Sequence, residues 1–156
     1  MDRRKWVLLA YRLPREPSTP RIALWRKFKR LGVAQLLDGL VALPFDRETR
    51  EQLEWAGQEI LDAGGEATIW IGELGSAKDE RILVDRMREA VGEEYEAVSM
   101  EAAAARRHSD ADRARTLARL RRELRRIGQR DYFPPPQRER ATQAVERLAS
   151  LAEVRT

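Results

Sequence analysis

Val33–Phe45 reads VAQLLDGLVALPF, two short apolar runs on either side of Asp38-Gly39. Asp-Gly is among the strongest dipeptides for a tight hairpin, because the favoured two-residue turns need positive φ and glycine supplies it without steric cost. The stretch therefore predicts two short antiparallel strands, about Ala34 to Leu37 and Leu40 to Leu43.

The neighbours on both sides fit around that hairpin. Upstream, WVLLAYRL (Trp6–Leu13) is an apolar run of strand length ended by Pro14 and reads as a buried central strand. Thr19 as N-cap, Pro20 at the first helical position and Gly32 as the stop then define a helix. Its Leu24, Trp25, Phe28 and Leu31 share one face, leaving Arg26, Lys27 and Arg30 on the other. Downstream, Asp46 caps a second helix with an inward stripe of Leu53, Ala56 and Ile60, ended by Gly64-Gly65. EATIWIGEL follows as a fourth strand, with Thr68 and Trp70 facing one way and Ala67, Ile69 and Ile71 the other. The order is β-α-β-β-α-β, which predicts an α+β fold: a ferredoxin-like domain over about residues 4–74, its two helices on one face of an antiparallel sheet.

After Gly72 the strand signals cease. Ser76 with Asp79, and Ser109 with Asp112, are capping pairs that open helices over about 77–107 and 110–130, and a last helix covers about 138–153. The lone Gly92 costs a helix only about 1 kcal/mol and need not end it. Residues 76–153 thus form a helical hairpin or bundle extension. A chain of 156 residues and 18.0 kDa has room for such a small domain with a helical appendage, not for two large domains.

Charge divides the sequence more sharply than its net +4 suggests. Residues 1–31 hold ten Lys or Arg against two acids and residues 106–130 ten against three, while residues 32–105 hold six against seventeen. Two basic blocks bracket an acidic middle, a pattern that suits either nucleic-acid binding or internal pairing. The absence of cysteine excludes disulfides, thiolate metal sites and cysteine nucleophiles. No apolar run reaches the length of a membrane span and the N-terminus lacks a signal-peptide core, so a cytoplasmic protein without membrane partners is expected.

The second basic block carries the functional question. At 100° per residue, Leu117, Leu120, Leu124 and Ile127 form one face of its helix, and Arg115, Arg119, Arg122 and Arg126 line up opposite. Like charges three or four apart destabilise a helix by about 0.2–0.5 kcal/mol per pair, and Glu123 alone offers local relief. The compensating charge comes either from glutamates of the preceding helix (Glu89, Glu93, Glu94, Glu96, Glu101) or from nucleic-acid phosphate, which suits the planar guanidinium fork. Arg26, Lys27 and Arg30 are the candidate second contact.

Catalytic chemistry finds little support. His108, the sole histidine, sits among arginines at a helix end and reads as a surface or capping residue. A carboxylate site for Mg²⁺ from Asp38, Asp46 or Glu73 has no directing motif, and GELGSAK (residues 72–78) lacks P-loop spacing. No cofactor is expected. Among the four tryptophans, Trp25 and Trp70 read as core, Trp6 as a strand-edge residue and Trp55 as partly exposed. In DYFPPP, Tyr132 and Phe133 are expected to pack back on the helices.

The ensemble WVLLAYRLPREPSTPRIALWRKFKRLGVAQLLDGLVALP, LDAGGEATIWIGEL, REAVGEEYEAV and RELRRIGQRDYF resembles the N-terminal region of the ChrB family of bacterial chromate-resistance regulators. That resemblance covers nearly the whole chain and implies a cytoplasmic, non-enzymatic transcriptional regulator that binds duplex promoter DNA and releases it in the presence of chromate. Longer members carry a further C-terminal domain associated with chromate resistance, before which this chain ends, and no residue here is assigned to chromate. The first 72 residues also resemble small CRISPR-associated adaptation nucleases, which place an aspartate at the end of strand one. This sequence has Tyr11-Arg12-Leu13-Pro14 there, and a cation in place of a metal ligand disfavours metal-dependent cleavage. A metal-dependent nuclease and a purely structural or interaction protein are the alternatives, and a homodimer through a sheet edge or the leucine seam is a further expectation.

Overall fold

The computed structural model describes residues 3–153. Its elements run β1 (Trp6–Arg12), α1 (Thr19–Leu31), β2 (Ala34–Leu37), β3 (Leu40–Pro44), α2 (Arg47–Asp62), β4 (Glu66–Gly72), α3 (Ala77–Ala105), α4 (Asp110–Gln129) and α5 (Gln137–Glu153). The chain divides into two compact units, Met1–Val84 and Asp85–Thr156, with α3 beginning in the first and ending in the second.

The first unit has the β-α-β-β-α-β order expected. Its strands lie in spatial order β2-β3-β1-β4 and every adjacent pair is antiparallel. The Asp38-Gly39 turn forms as the dipeptide requires. Gly39 has φ +79°, its carbonyl accepts from Tyr11 N–H at 2.8 Å, and a Cβ there would stand 2.4 Å from the Tyr11 carbonyl oxygen. A register shift between Gln35 and Leu37 interrupts β2 just before the turn.

Alternation along β1 sorts the two faces. Val7, Leu9 and Tyr11 lie on one side, where Leu9 faces Gly57 of α2 and the Tyr11 ring sits 5.6 Å from that of Phe28 on α1. Gly57 lets α2 approach closely: a Cβ there would meet Leu9 Cδ1 at 3.5 Å and Ala67 Cβ at 3.7 Å. Buried Leu24, Phe28, Leu31, Leu53, Ala56 and Ile60 complete this core. The cap of α2 is a full capping box, with Thr49 N–H donating to Asp46 Oδ1 at 2.7 Å and Asp46 N–H donating to Thr49 Oγ1 at 2.9 Å. Glu80, in the first turns of α3, accepts from Arg4 N–H at 3.0 Å and from Trp6 Nε1 at 3.2 Å.

Three tryptophans depart from the sequence reading. Trp6, expected near a strand edge, is fully buried, whereas Trp25 and Trp70, expected in the core, are 61% and 62% exposed. On α1 the core is closed by Leu24, Phe28 and Leu31 alone, and Trp25 falls just outside their arc with Lys29 Nζ 5.0 Å from its ring centre. Trp70 occupies the face of β4 opposite α2, with Nε1 donating to Thr68 Oγ1 at 2.9 Å. Trp55 is exposed, as expected.

The second unit is a helical bundle. Val91, Tyr95, Val98, Ala102 and Ala105 of α3 meet Leu117, Leu120 and Ile127 of α4 and Ala141, Val145, Leu148 and Ala149 of α5 in one buried cluster, with Leu124 packed against it. Spacings of three and four residues on each helix make that stripe continuous. Gly92 does not interrupt α3; it leaves room for Gln137, whose Oε1 would lie 3.0 Å from a Cβ at that position. Phe133 is buried as expected. Among the described residues no helix is long and apolar enough to cross a membrane.

Candidate nucleic-acid interface

The arginine helix folds where its caps and seam direct. Ser109 Oγ accepts from Asp112 N–H at 3.3 Å to open α4, and Asp110 and Asp112 in the first turn complement the helix dipole. Arg113, four residues before Leu117 on the inward face, is buried. Its Nη2 donates to the carbonyls of Arg106 at 2.9 Å and His108 at 3.0 Å, and its Nη1 to Asp110 Oδ1 at 3.0 Å. This guanidinium closes the turn between α3 and α4 and cannot reach an outside ligand.

Carboxylates of α3 and of α4 itself compensate the outward row only in part. Arg119 pairs with Glu101 of α3, which together with the Arg130–Glu94 pair shows that α3 and α4 run antiparallel. Arg115 pairs with Asp112, three residues earlier, and Arg126 with Glu123 at 3.7 Å. Glu123 therefore relieves Arg126 and approaches Arg130 at 3.9 Å. Asp112 is held below the usual carboxylate range by hydrogen bonds from Arg115 and from Ser109. Arg122 has no carboxylate within ion-pair distance among the described residues.

The same holds for Arg121 and Arg125, both exposed and not among the residues singled out from sequence. With Arg122 they span about 100° of the helix circumference, on the side turned away from Glu94 and Glu101. The signal for them was present in the sequence: at three and four positions either way, neither has an acid. Around Arg121 stand Leu117, Ala118, Leu124 and Arg125, and around Arg125 stand Arg121, Arg122, Gly128 and Gln129. The unneutralised part of the ridge is thus displaced from the middle of the expected row toward Arg121, Arg122 and Arg125.

Pairing leaves Arg115, Arg119 and Arg126 accessible from solvent. Their side chains remain 76%, 52% and 66% exposed. Exposed pairs of this kind contribute about 0–1 kcal/mol, so a phosphate can replace the carboxylate at little cost.

In the first unit, Arg26 and Arg30 point to solvent without carboxylate partners among the described residues. Lys27 differs from the sequence reading. It turns inward, its side chain only 15% exposed, and its Nζ donates to Glu59 of α2 at 2.7 Å. The reason is angular: Lys27 sits on the edge of the Leu24–Leu31 face, within reach of α2, and not beside Arg26 on the outer face.

At the end of β1, Arg12 is exposed and lies 4.0 Å from Glu66 on the paired strand. Tyr11 beside it has its phenol raised by burial and by the nearby Asp38 carboxylate, with Arg21 opposing. Among the described residues no three His, Asp or Glu side chains gather as a metal cage.

The family model for the N-terminal region of protein ChrB matches residues 21–154, which takes in α1 from Arg21 onward, α2, the whole sheet except β1, and all three bundle helices. Protein ChrB of Cupriavidus metallidurans is 33% identical over 138 residues, covering 83% of this chain and 40% of its own length. The chain therefore spans well under half of that relative. A family match over most of the chain, together with a relative at this identity, shows that the chain belongs to the ChrB N-terminal family.

Proposed function

We propose that this chain binds duplex DNA through the outward side of α4, as the DNA-contacting part of a chromate-resistance regulator. The observation that carries the reading is the cluster of Arg121, Arg122 and Arg125, three adjacent exposed guanidinium groups without a carboxylate partner among the described residues. Arg115, Arg119 and Arg126 extend it along the helix, each able to exchange its exposed carboxylate for phosphate. Arg26 and Arg30 form a smaller basic face in the other unit, while Lys27 is committed to Glu59. Family membership supports a regulatory role.

Phosphate contacts hold a duplex without reading its sequence, so base selection belongs to other groups. The test is fluorescence anisotropy of labelled duplex DNA titrated with protein at roughly 50 and 200 mM salt. Affinity should fall steeply with salt, by about 0.9 log units per log unit of salt for each phosphate neutralised. Arg121→Ala/Arg122→Ala/Arg125→Ala should weaken binding to every sequence about equally and reduce the slope by about three. Unchanged affinity and slope in that variant would remove α4 from the interface, and no binding by the parent protein at low salt would end the reading.

A further inference from the structure

The two edges of the sheet are built differently. β2 is short, Ala34–Leu37, and its register shift between Gln35 and Leu37 breaks the ladder. Shortness and bulging are the usual devices that prevent an edge strand from pairing with another chain. β4, Glu66–Gly72, has neither. It pairs with β1 in unbroken register over all seven residues, contains no proline or lysine, and its one charge, Glu66, lies at its end. No residue of β4 is fully buried, although Ala67, Ile69 and Ile71 face the side covered by α2.

Apolar side chains border this edge on both faces. On the α2 side, Ile71 is 43% exposed and Leu61 49%. Leu61 follows the sheet-facing Gly57 by one turn and lies on the flank of α2 opposite Glu59, which points toward α1. On the other side Trp70 is 62% exposed. An unpaired, regular, apolar edge of seven residues is a template for strand addition.

We infer that β4 is the interface of a homodimer, in which two copies join edge to edge and extend the sheet from four strands to eight. The strand is self-complementary. A two-fold axis through Ile69 uses every residue of β4, setting Ile69 opposite its counterpart, Ala67 opposite Ile71, Thr68 opposite Trp70 and Glu66 opposite Gly72. No charge then faces a like charge directly, and Ala67, Ile69 and Ile71 stay on the helix side in both copies, so both α2 helices cover one face. Shifting the register by two residues either way leaves part of the strand unpaired and sets Glu66 against Trp70, or Ala67 against Glu73. A second copy is thus favoured over an unrelated peptide by the strand's own pattern.

The absence of cysteine in the chain makes the register directly testable. Directly opposite residues of an antiparallel pair have Cα atoms about 4.5–5.5 Å apart, within disulfide reach. Thr68→Cys mixed with Trp70→Cys, both at exposed positions, should cross-link on mild oxidation to a product of twice 18.0 kDa. Neither variant alone should cross-link to that extent, and Leu37→Cys on the β2 edge should not cross-link at all. Sedimentation equilibrium of the unmodified chain should give twice 18.0 kDa at micromolar concentration, and Trp70→Lys/Ile71→Lys should give 18.0 kDa with unchanged circular dichroism. A monomeric parent chain at all concentrations overturns the inference, as does a dimer that cross-links at Leu37 or fails to cross-link in the Thr68/Trp70 mixture.

Discussion

Arg130 and Glu94 form a two-point ion pair between the end of α4 and the middle of α3, with Nε–Oε2 at 3.0 Å and Nη2–Oε1 at 2.5 Å. The Arg130 side chain is 15% exposed and also donates to the Arg126 carbonyl at 3.1 Å. Its guanidinium is held more firmly protonated than usual by the hydrogen bonds it donates to Glu94, against the opposing effect of burial. This arginine therefore braces the bundle and is withdrawn from any external phosphate. Arg130→Ala and Glu94→Ala should each destabilise the protein by about 1–2 kcal/mol, a figure reduced because Glu94 is partly solvent-screened. Urea unfolding of both single variants and the double variant should reveal a coupling between the two residues. Duplex affinity of folded Arg130→Ala should remain within about twofold of the parent, in contrast to the loss expected at Arg122.

Arg119 offers the opposite case, because its partner Glu101 sits in the exposed part of the α3–α4 groove. Removing the competing carboxylate should release a guanidinium to phosphate. Glu101→Gln is expected to raise duplex affinity a few-fold at low salt and to steepen its salt dependence by about one, with stability changed by less than about 1 kcal/mol. Equal affinity of Glu101→Gln and the parent would show that Arg119 does not contact the backbone.

What the sequence disclosed depended on whether the deciding interaction was local. Asp38-Gly39, the Asp46–Thr49 box and the Ser109–Asp112 cap act within a few residues, and each element forms where those signals put it. The pairing of Arg115 with Asp112 and of Arg126 with Glu123 was equally accessible, since both acids lie three positions earlier on the same helix. Tertiary angles were not. Whether Lys27 faced solvent or Glu59 depended on where α2 lies, and whether Trp25 or Leu24 closed the core depended on the tilt of α1. A helical wheel locates residues to within a quarter turn, and at the border of a face that margin separates an outward cation from an inward one.

Arg113 illustrates a role that no wheel assigns. It lies on the apolar face of α4 yet ties the carbonyls of Arg106 and His108 to Asp110. Arg113→Met keeps the aliphatic stem and abolishes these bonds, leaving two carbonyls of the turn to find water. A loss of about 1–3 kcal/mol is expected in thermal or urea unfolding, without a change in the salt slope of duplex binding. A stability equal to the parent would mean that the turn is held by its backbone bonds alone.

Tyr95 and Asp131 make the bundle sensitive to alkali. The Tyr95 hydroxyl donates to Asp131 Oδ2 at 2.8 Å, and the Asp131 side chain is fully buried, with Arg138 Nη1 3.5 Å from the same oxygen. Burial first, and then the hydrogen bond and charge of Asp131, push the Tyr95 phenol well above its ordinary value of 10.0. Because the folded value exceeds the unfolded one, the stability linked to this proton is fully present below about pH 10 and is lost as pH rises toward the folded value. Unfolding free energy should therefore decline above about pH 10, with Tyr11, raised for a similar reason, adding to the same trend. Tyr95→Phe should cost about 1–3 kcal/mol near neutrality by depriving a buried carboxylate of its donor, and should flatten the alkaline decline without abolishing it. An alkaline slope in Tyr95→Phe as steep as in the parent would place the linked proton elsewhere.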